Sequence, residues 1–169
     1  MVRLWKFLFL ALLSITALAA CGKTFEDHAK GGIVAATEAF QLQKQHVNEE
    51  VQGVSLYKPT GFTIEEKSDA QNIVMKKGND TFLLFINPNE EKDSRLFYDL
   101  LKQTEDEERF VEVFTDDDGY FGFASITKKS EDQVELIASV GGVKMTTITK
   151  VNNSEANIGK MMEIVRSIQ

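Results

Sequence analysis

Cysteine is almost absent from this sequence, and its scarcity removes several classes of function. Among 169 residues only Cys21 carries a thiol. A single cysteine excludes an intrachain disulfide, a CxxC redox centre and a zinc site built from several thiolates. The chain therefore does not depend on disulfides or on dithiol chemistry.

Histidine is nearly as scarce, with only His28 and His46 in the chain. Nucleophilic catalysis usually needs a histidine base beside the nucleophile. Both residues precede the predicted sheet, His28 in a polar stretch and His46 on the polar side of a predicted helix. We therefore predict that both are exposed. A two-histidine metal site would require this helix to fold back, and the sequence predicts no catalytic residue, no metal site and no cofactor.

Phosphate loops and calcium loops are also missing. Gly141-Gly142 is followed neither by a Lys-Ser/Thr pair nor by a helix start. The run Asp116-Asp117-Asp118-Gly119 lacks the alternation and the distal glutamate of a calcium loop, so we predict a hairpin turn with Gly119 at positive φ. The acidic run 105–108 is predicted to be a solvated loop. Paired carboxylates of a hydrolase remain possible among 26 acids.

What the chain does have is a strongly apolar N-terminus. Arg3 and Lys6 accompany an apolar run over 7–13, which is too short to span a membrane and gives way to small residues, as in a cleavable signal peptide. This segment ends in Leu18-Ala19-Ala20-Cys21, which resembles the lipobox of bacterial lipoproteins. The resemblance implies cleavage before Cys21 and a diacylglyceryl group on its thiol.

The alternative is a conventional signal peptide cut near Ala20, with Cys21 present by chance. A free thiol is an unusual residue to keep in an oxidising exterior. Lipidation explains both the presence of Cys21 and the lack of a second cysteine, so we favour it. The thiol then carries the diacylglyceryl group and is not a catalytic nucleophile.

The charge of the chain indicates how it attaches to a membrane. Removing residues 1–20 removes Arg3 and Lys6 and no acid, which changes the formal charge from −7 to −9. Such a surface is repelled by nucleic acid and by anionic headgroups. Attachment therefore falls to the acyl chains, and two chains suffice for stable anchoring. We expect the extracytoplasmic face of a cell membrane. The lysine- and glutamate-containing tether favours a Gram-positive surface, and the periplasmic side of an outer membrane is the alternative.

The mature chain is predicted to form one domain. Residues 21–32 end in a glycine pair and predict a lipidated tether, and 33–50 carry apolar residues at helical spacing. The region 53–169 predicts a sheet and two more helices over 94–104 and 154–168, with Ser94 and Ser154 as caps. The predicted strands are 55–57, 62–67, 72–77, 81–86, 110–115, 120–127, 134–140 and 143–151.

The strand over 81–86 is apolar at every position except Thr81, as in an interior strand covered on both faces. We therefore predict an α+β fold, a mostly antiparallel sheet of about six to eight strands with helices packed on both faces. The element order and the Pro59-Thr60-Gly61-Phe62 opening of a strand resemble the PsbP-like sandwich of extrinsic photosystem proteins and bacterial lipoproteins. That resemblance implies a fold and carries no function.

Aromatic residues are the remaining candidates for ligand contacts. In strands they are core residues far more often than cavity linings. Gly122 lies between Phe121 and Phe123 and leaves space for a neighbour or a ligand. The candidates for an apolar cavity are Phe62, Phe82, Phe85, Phe97, Phe110, Phe114, Tyr120, Phe121 and Phe123.

The sequence predicts a lipid anchor and no catalytic residue, and this combination favours one function. We predict a membrane-anchored lipoprotein that serves as a non-catalytic binding or accessory module of the cell envelope, with an envelope protein as its partner. One alternative is a carrier of a small apolar ligand held between the helices and the sheet. The other is a carboxylate-dependent hydrolase.

Overall fold

A computed structural model describes residues 23–104 and 108–168. The predicted signal peptide, Cys21 and most of the acidic run 105–108 lie outside the described residues. The helices are α1 (Phe25–Gln41), α2 (Leu96–Lys102) and α3 (Ser154–Ser167), the last preceded by a 3₁₀ turn at Val151–Asn153. The strands are β1 (Glu49–Val51), β2 (Val54–Leu56), β3 (Thr63–Ile64), β4 (Asn72–Lys77), β5 (Asp80–Ile86), β6 (Arg109–Thr115), β7 (Phe121–Lys128), β8 (Gln133–Val140) and β9 (Val143–Lys150).

Seven of these strands form one antiparallel sheet in the order β3-β4-β5-β9-β8-β7-β6, and β1 and β2 form a separate hairpin. The predicted α+β class, antiparallel pairing and strand number are confirmed. The Gly141-Gly142 turn joins β8 and β9 with Val140 paired to Val143. A two-residue turn after Lys77 likewise joins β4 and β5, because Lys77 pairs with Asp80.

The first helix differs from the prediction of 33–50, because it begins at Phe25 and ends at Gln41. Thr24 starts it with a capping box: its hydroxyl accepts from the N–H of Asp27, whose carboxylate accepts from the N–H of Thr24. This pairing satisfies two backbone donors at the helix start. Most of the predicted tether is therefore helical.

The predicted second half of that helix is a hairpin. Val47 and Val51 continue a four-residue spacing in the sequence, but Val51 pairs with Val54 across a two-residue turn. Both turn residues have positive φ, 51° at Gln52 and 84° at Gly53, as a type I′ turn requires. The four-residue spacing of these valines therefore does not mark a helix, because Val51 lies in a β-hairpin.

The main core lies where α1 and α3 pack on each other and on the sheet. Small residues allow this approach: a Cβ on Gly32 would lie 2.5 Å from Cδ1 of Ile126, and one on Gly159 would lie 3.5 Å from Cβ of Ala35. Ile126 on β7 and Ile158 on α3 are fully buried. The glycine pair that suggested a flexible tether is thus a packing site inside α1.

A second, smaller cluster contains α2. Phe97 and Leu101 of α2 are buried with Phe121 and Phe123 of β7. The next residues along β7, Ala124 and Ile126, belong to the main core instead. The prediction that β5 is covered on both faces is wrong at Leu83, which is 43% exposed between buried Phe82 and Leu84. Helices were predicted to cover both faces of the sheet, but the face of β5 that carries Leu83 is partly exposed.

Neither predicted serine is the N-cap of its helix. The Ser94 hydroxyl accepts from the N–H of Leu96 at 3.2 Å, but the N-cap of α2 is the next residue, Arg95, whose side chain makes no capping bond. Ser154 is already the first residue of α3, and its hydroxyl donates to the carbonyl of Val151 at 2.7 Å. It therefore fastens the helix to the preceding 3₁₀ turn rather than capping it.

The domain has two ends, defined by α1. At the proximal end, near the start of α1, Phe25 contacts Phe110 with ring centroids 5.8 Å apart. At the distal end Phe40 stacks on Phe114 with centroids 5.1 Å apart. Seventeen helical residues separate these ends by about 25 Å.

We predict that Gly32→Leu destabilises the domain by about 2 kcal/mol, because the added side chain has to displace buried Ile126. Val34→Leu is the matched control, since Val34 is 56% exposed on the same helix. Urea unfolding followed by circular dichroism measures both. Equal midpoints for the two variants would show that the close approach of α1 is unimportant.

Candidate functional site

A cleft lies at the distal end, between the β1–β2 hairpin and the sheet. Its walls include Ile86 at the end of β5, Gln71 just before β4, and Ile168 just after α3. It has a volume of about 630 Å³. The full lining is Val47, Gln52, Gly53, Val54, Ser55, Ala70, Gln71, Ile86, Pro88, Ser167 and Ile168.

None of these lining residues is charged, although 27% of the chain is. The Ser167 hydroxyl is already engaged, since it accepts from the N–H of Tyr57 at 2.8 Å and donates to the carbonyl of Ile164 at 2.6 Å. The amides of Gln52 and Gln71 are left to orient a ligand. The cleft therefore suits a neutral, partly apolar ligand, and it lacks groups for ionic recognition.

The rim of the cleft holds an unfavourable backbone conformation. Gln52 has a φ of 51°, the only positive value at a described residue other than glycine. The left-handed conformation costs a side-chain-bearing residue about 1 kcal/mol or more. Asparagine or glycine would fit this turn better. Residues held in such conformations cluster at ligand sites, which makes Gln52 a candidate contact.

A second, open groove lies on the other side of the same hairpin and carries acids. Glu49, Glu50, Glu65 and Glu66 line it together with Lys58. Glu49 is paired with Lys58, and Glu65 is paired with Lys76 at 3.1 Å. None of the four glutamates is buried. This groove is a candidate site for a carboxylate-dependent hydrolase, but two of its four glutamates are paired with lysines.

The predicted turn at Asp116-Asp117-Asp118-Gly119 is confirmed, with φ of 80° at Gly119. Asp116 has a further role that the sequence did not reveal. Its carboxylate accepts from the N–H of Tyr120 at 2.9 Å and forms a mostly buried ion pair with Arg166 of α3 at 2.9 Å. Burial tends to raise the pKa of Asp116, but the Tyr120 and Arg166 contacts outweigh it, and the pKa lies below its ordinary value.

Cations surround the ring of Tyr120 at the same end. Lys44 Nζ lies 4.2 Å from the ring centroid and donates to the hydroxyl at 3.0 Å, and Lys92 Nζ lies 5.2 Å from the centroid. The guanidinium of Arg166 lies 4.4 Å from the Phe40 centroid. These contacts join the end of α1, the β6–β7 turn and α3. We interpret them as packing that fixes the distal end.

The two histidines do not come together. His28 lies in the first turn of α1 and is half-buried, which corrects its predicted exposure. His46 is exposed, as predicted, but it follows α1 rather than lying on it. Within 23–104 and 108–168, no group of three His, Cys, Asp or Glu residues is placed to hold a metal ion.

The nine aromatic candidates are absent from the lining of the cleft. They pack instead in the two clusters, where for example Phe62 contacts Phe82 with centroids 5.0 Å apart. The space beside Gly122 is filled by Phe40, whose Cε2 would lie 2.9 Å from an added Cβ. Sequence reasoning missed the cleft because its lining is scattered over small and uncharged residues that follow no motif.

Comparison with known proteins adds no family. No protein-family model matches the chain, and no curated protein sequence matches it. Among the described residues, no helix is both long enough and apolar enough to cross a membrane.

We predict that Asp116→Asn lowers stability at pH 7 by about 3 kcal/mol, because it leaves Arg166 buried without a counterion. The contribution of Asp116 is complete above the ordinary aspartate pKa of about 3.9 and is lost as the pH falls below it, since the folded-state pKa is the lower one. The difference from wild type should therefore shrink on acidification from pH 5 to pH 3 in urea titrations.

Asp117→Asn is the control for this experiment. Asp117 is the exposed neighbour of Asp116 in the same turn, and its substitution should change stability by less than about 0.5 kcal/mol. A stability difference for Asp116→Asn that is constant between pH 5 and pH 3 would contradict the assigned role of the ion pair.

Proposed function

We propose that the chain is a lipid-anchored, extracytoplasmic lipoprotein that acts as a non-catalytic binding module, with the distal cleft as its binding site. The observation that carries the proposal is the uncharged lining of this cleft in an acidic domain. The partner is an envelope component that presents a neutral, partly apolar segment. Binding then depends on apolar burial and on a few amide hydrogen bonds.

The start of α1 supports this arrangement. With lipid on Cys21, only three residue steps separate the anchor from Thr24, which begins the capped helix. Three steps span at most about 10 Å. The proximal end then lies against the membrane, and the cleft opens at the opposite end. A Gram-positive surface is our favoured location, and the periplasmic side of an outer membrane would present the cleft equally well.

A more specific fold, beyond the α+β class, is part of the same proposal. We propose a PsbP-like sandwich, with α1 and α3 on one face of the sheet and α2 on the other. The alternation along β7 supports it, because Phe123 packs with Phe97 of α2 whereas Ala124 belongs to the main core. Successive side chains of a strand point to opposite faces.

A second candidate function is a carrier of a small apolar ligand. The volume of the cleft favours it, because about 630 Å³ lies within the usual range of 300 to 1,000 Å³ for small-molecule sites. The ligand would lie beside the hairpin rather than between the helices and the sheet. Native mass spectrometry of the protein purified from its own membranes distinguishes the two functions, since a carrier should retain a discrete added mass.

We predict that Cys21→Ala leaves the precursor unprocessed or releases the protein into the medium, because the acceptor of the acyl chains is gone. Membrane fractionation and immunoblotting of cells that express the full chain provide the measurement. A mature-size band that stays in the membrane fraction would refute lipidation of Cys21.

We predict that Ala70→Trp lowers partner capture by at least roughly tenfold, because Ala70 is an exposed lining residue and the indole fills the cleft. The measurement is crosslinking in intact cells, with each crosslinked species quantified for wild type and variant. Ala156→Trp, at an exposed position on α3, is the matched control. Crosslinked species that persist equally in both variants would exclude the cleft as the binding site.

A further inference from the structure

The strand β2 has one edge that faces the distal cleft. Its other edge pairs with β1, and a two-residue turn closes this hairpin. In such a hairpin the pair next to the turn is hydrogen-bonded, so the following pair, Glu50 and Ser55, directs its N–H and C=O groups outward. The N–H of Tyr57 also points outward, because it donates to the Ser167 hydroxyl at 2.8 Å. Ser55, two residues earlier, directs its groups to the same side and lines the cleft.

The N–H and C=O of Ser55 are available to a ligand. Among the described residues, no hydrogen bond is made to either group. Ser55 is exposed, so water reaches both groups in the absence of a ligand. A purely apolar ligand would cover this pair and bond to neither group, which costs binding free energy. A ligand that offers a backbone C=O and N–H of its own would instead satisfy both groups.

The surroundings of β2 indicate which side chains such a ligand carries. Residues directly opposite each other in paired strands point to the same face, and their neighbours in sequence point to the other face. Ser55 is exposed, whereas Val54 and Leu56 pack in the main core. A ligand residue opposite Ser55 therefore faces water. The residues on either side of it face the core side of the cleft, where Ile86 and Ile168 lie, so they are apolar.

The β2 strand of a second copy does not fit this edge. Antiparallel pairing of two β2 strands, centred on Ser55, would place Gly53 of the copy opposite Tyr57. The Ser167 hydroxyl already occupies that position. Shifting the register by two residues would bring either Gly53 or Tyr57 opposite Ser55, but Gly53 has a φ of 84° and is not extended, and the N–H of Tyr57 is already bonded. Ser167 thus limits strand pairing at this edge to Ser55.

We propose that the cleft binds an extended, uncharged segment of another protein by strand addition to β2. One residue of the segment exchanges both backbone hydrogen bonds with Ser55, and the residues on either side of it are apolar. This proposal rests on the proposed function of the cleft and names the chemistry of its ligand. The lining offers no charged group, so backbone pairing and apolar burial supply the affinity.

The test uses the full-length protein in phosphatidylcholine nanodiscs and a pool of capped, uncharged peptides about seven residues long, which alternate apolar and small polar residues. In a second pool the small polar residues are N-methylated, which removes the N–H that bonds to the carbonyl of Ser55. Affinity selection with mass spectrometry should retain the first pool at least about fivefold more strongly than the second. A third pool, methylated at the apolar residues, keeps this N–H and should be retained like the first. Hydrogen exchange should show new protection at the amide of Ser55 and none at that of Glu50.

Substitutions test the same pairing from the protein side. Ser55→Pro removes the outward N–H without breaking a bond to β1, so the fold should persist while retention of the first pool falls at least about fivefold. Glu50→Pro is the matched control, because it removes an outward N–H on the side of the hairpin away from the cleft. Ser55→Ala changes only the side chain and should leave retention unchanged. Circular dichroism shows whether each variant is folded, and the methylated pools test the pairing independently of Ser55→Pro.

Three results would overturn the proposal: no retention of the first pool by the wild type, equal retention of the first two pools, or undiminished retention by a folded Ser55→Pro protein. Ala70→Trp separates this failure from failure of the proposed function. Retention that Ala70→Trp abolishes but Ser55→Pro leaves intact would keep the cleft as a binding site and refute strand addition, whereas retention unaffected by either variant would refute the cleft itself. In sedimentation, a dimer that Ser55→Pro abolishes would assign this edge to a second copy of the chain and overturn the proposal.

Discussion

The close contact between α1 and α3 is the constraint on which the rest of the structure depends. At Gly32 the approach of α1 to the sheet leaves no room for a Cβ beside Ile126, and at Gly159 an added Cβ would be in ordinary van der Waals contact with Ala35 of α1. This approach fixes where both helices end, because Phe40 and Arg166 meet over the β6–β7 turn only if the helices lie side by side. The end of α3 in turn supplies Ser167 and Ile168 to the cleft. Small residues in the middle of the two helices thus help to position a binding surface at the distal end.

Much of the fold could be predicted because strands and turns are local. Runs of strand-favouring residues identified the strands of the main sheet, and Asp116-Asp117-Asp118-Gly119 identified the turn between β6 and β7. The first helix could not be placed in this way. Gly31 and Gly32 weaken an isolated helix by about 1 kcal/mol each, so they indicate a break. In the folded chain, packing on Ile126 and Ile158 outweighs that cost. The only local signal for the true start was the spacing of Thr24 and Asp27.

The candidate site could not be predicted for a different reason. Its lining comes from five separate stretches of the chain, and none of its residues is charged. Chemistry of the kind that motifs encode needs charged or nucleophilic groups at fixed spacing, whereas a neutral cleft needs only shape. The shape of the cleft depends on tertiary packing, here on how the β1–β2 hairpin is placed beside the sheet. The Gln52-Gly53 turn that forms this hairpin was also hidden, because glutamine seldom occupies such a position.

The capped start of α1 has one more consequence. With lipid on Cys21, as proposed, three residue steps of at most about 10 Å in all keep the start of α1 close to the bilayer. The length of α1 then limits how far the distal cleft can reach from the membrane, to about 25 Å beyond the start of the helix. Inserting or deleting a turn of α1 would change that reach in steps of about 5.4 Å.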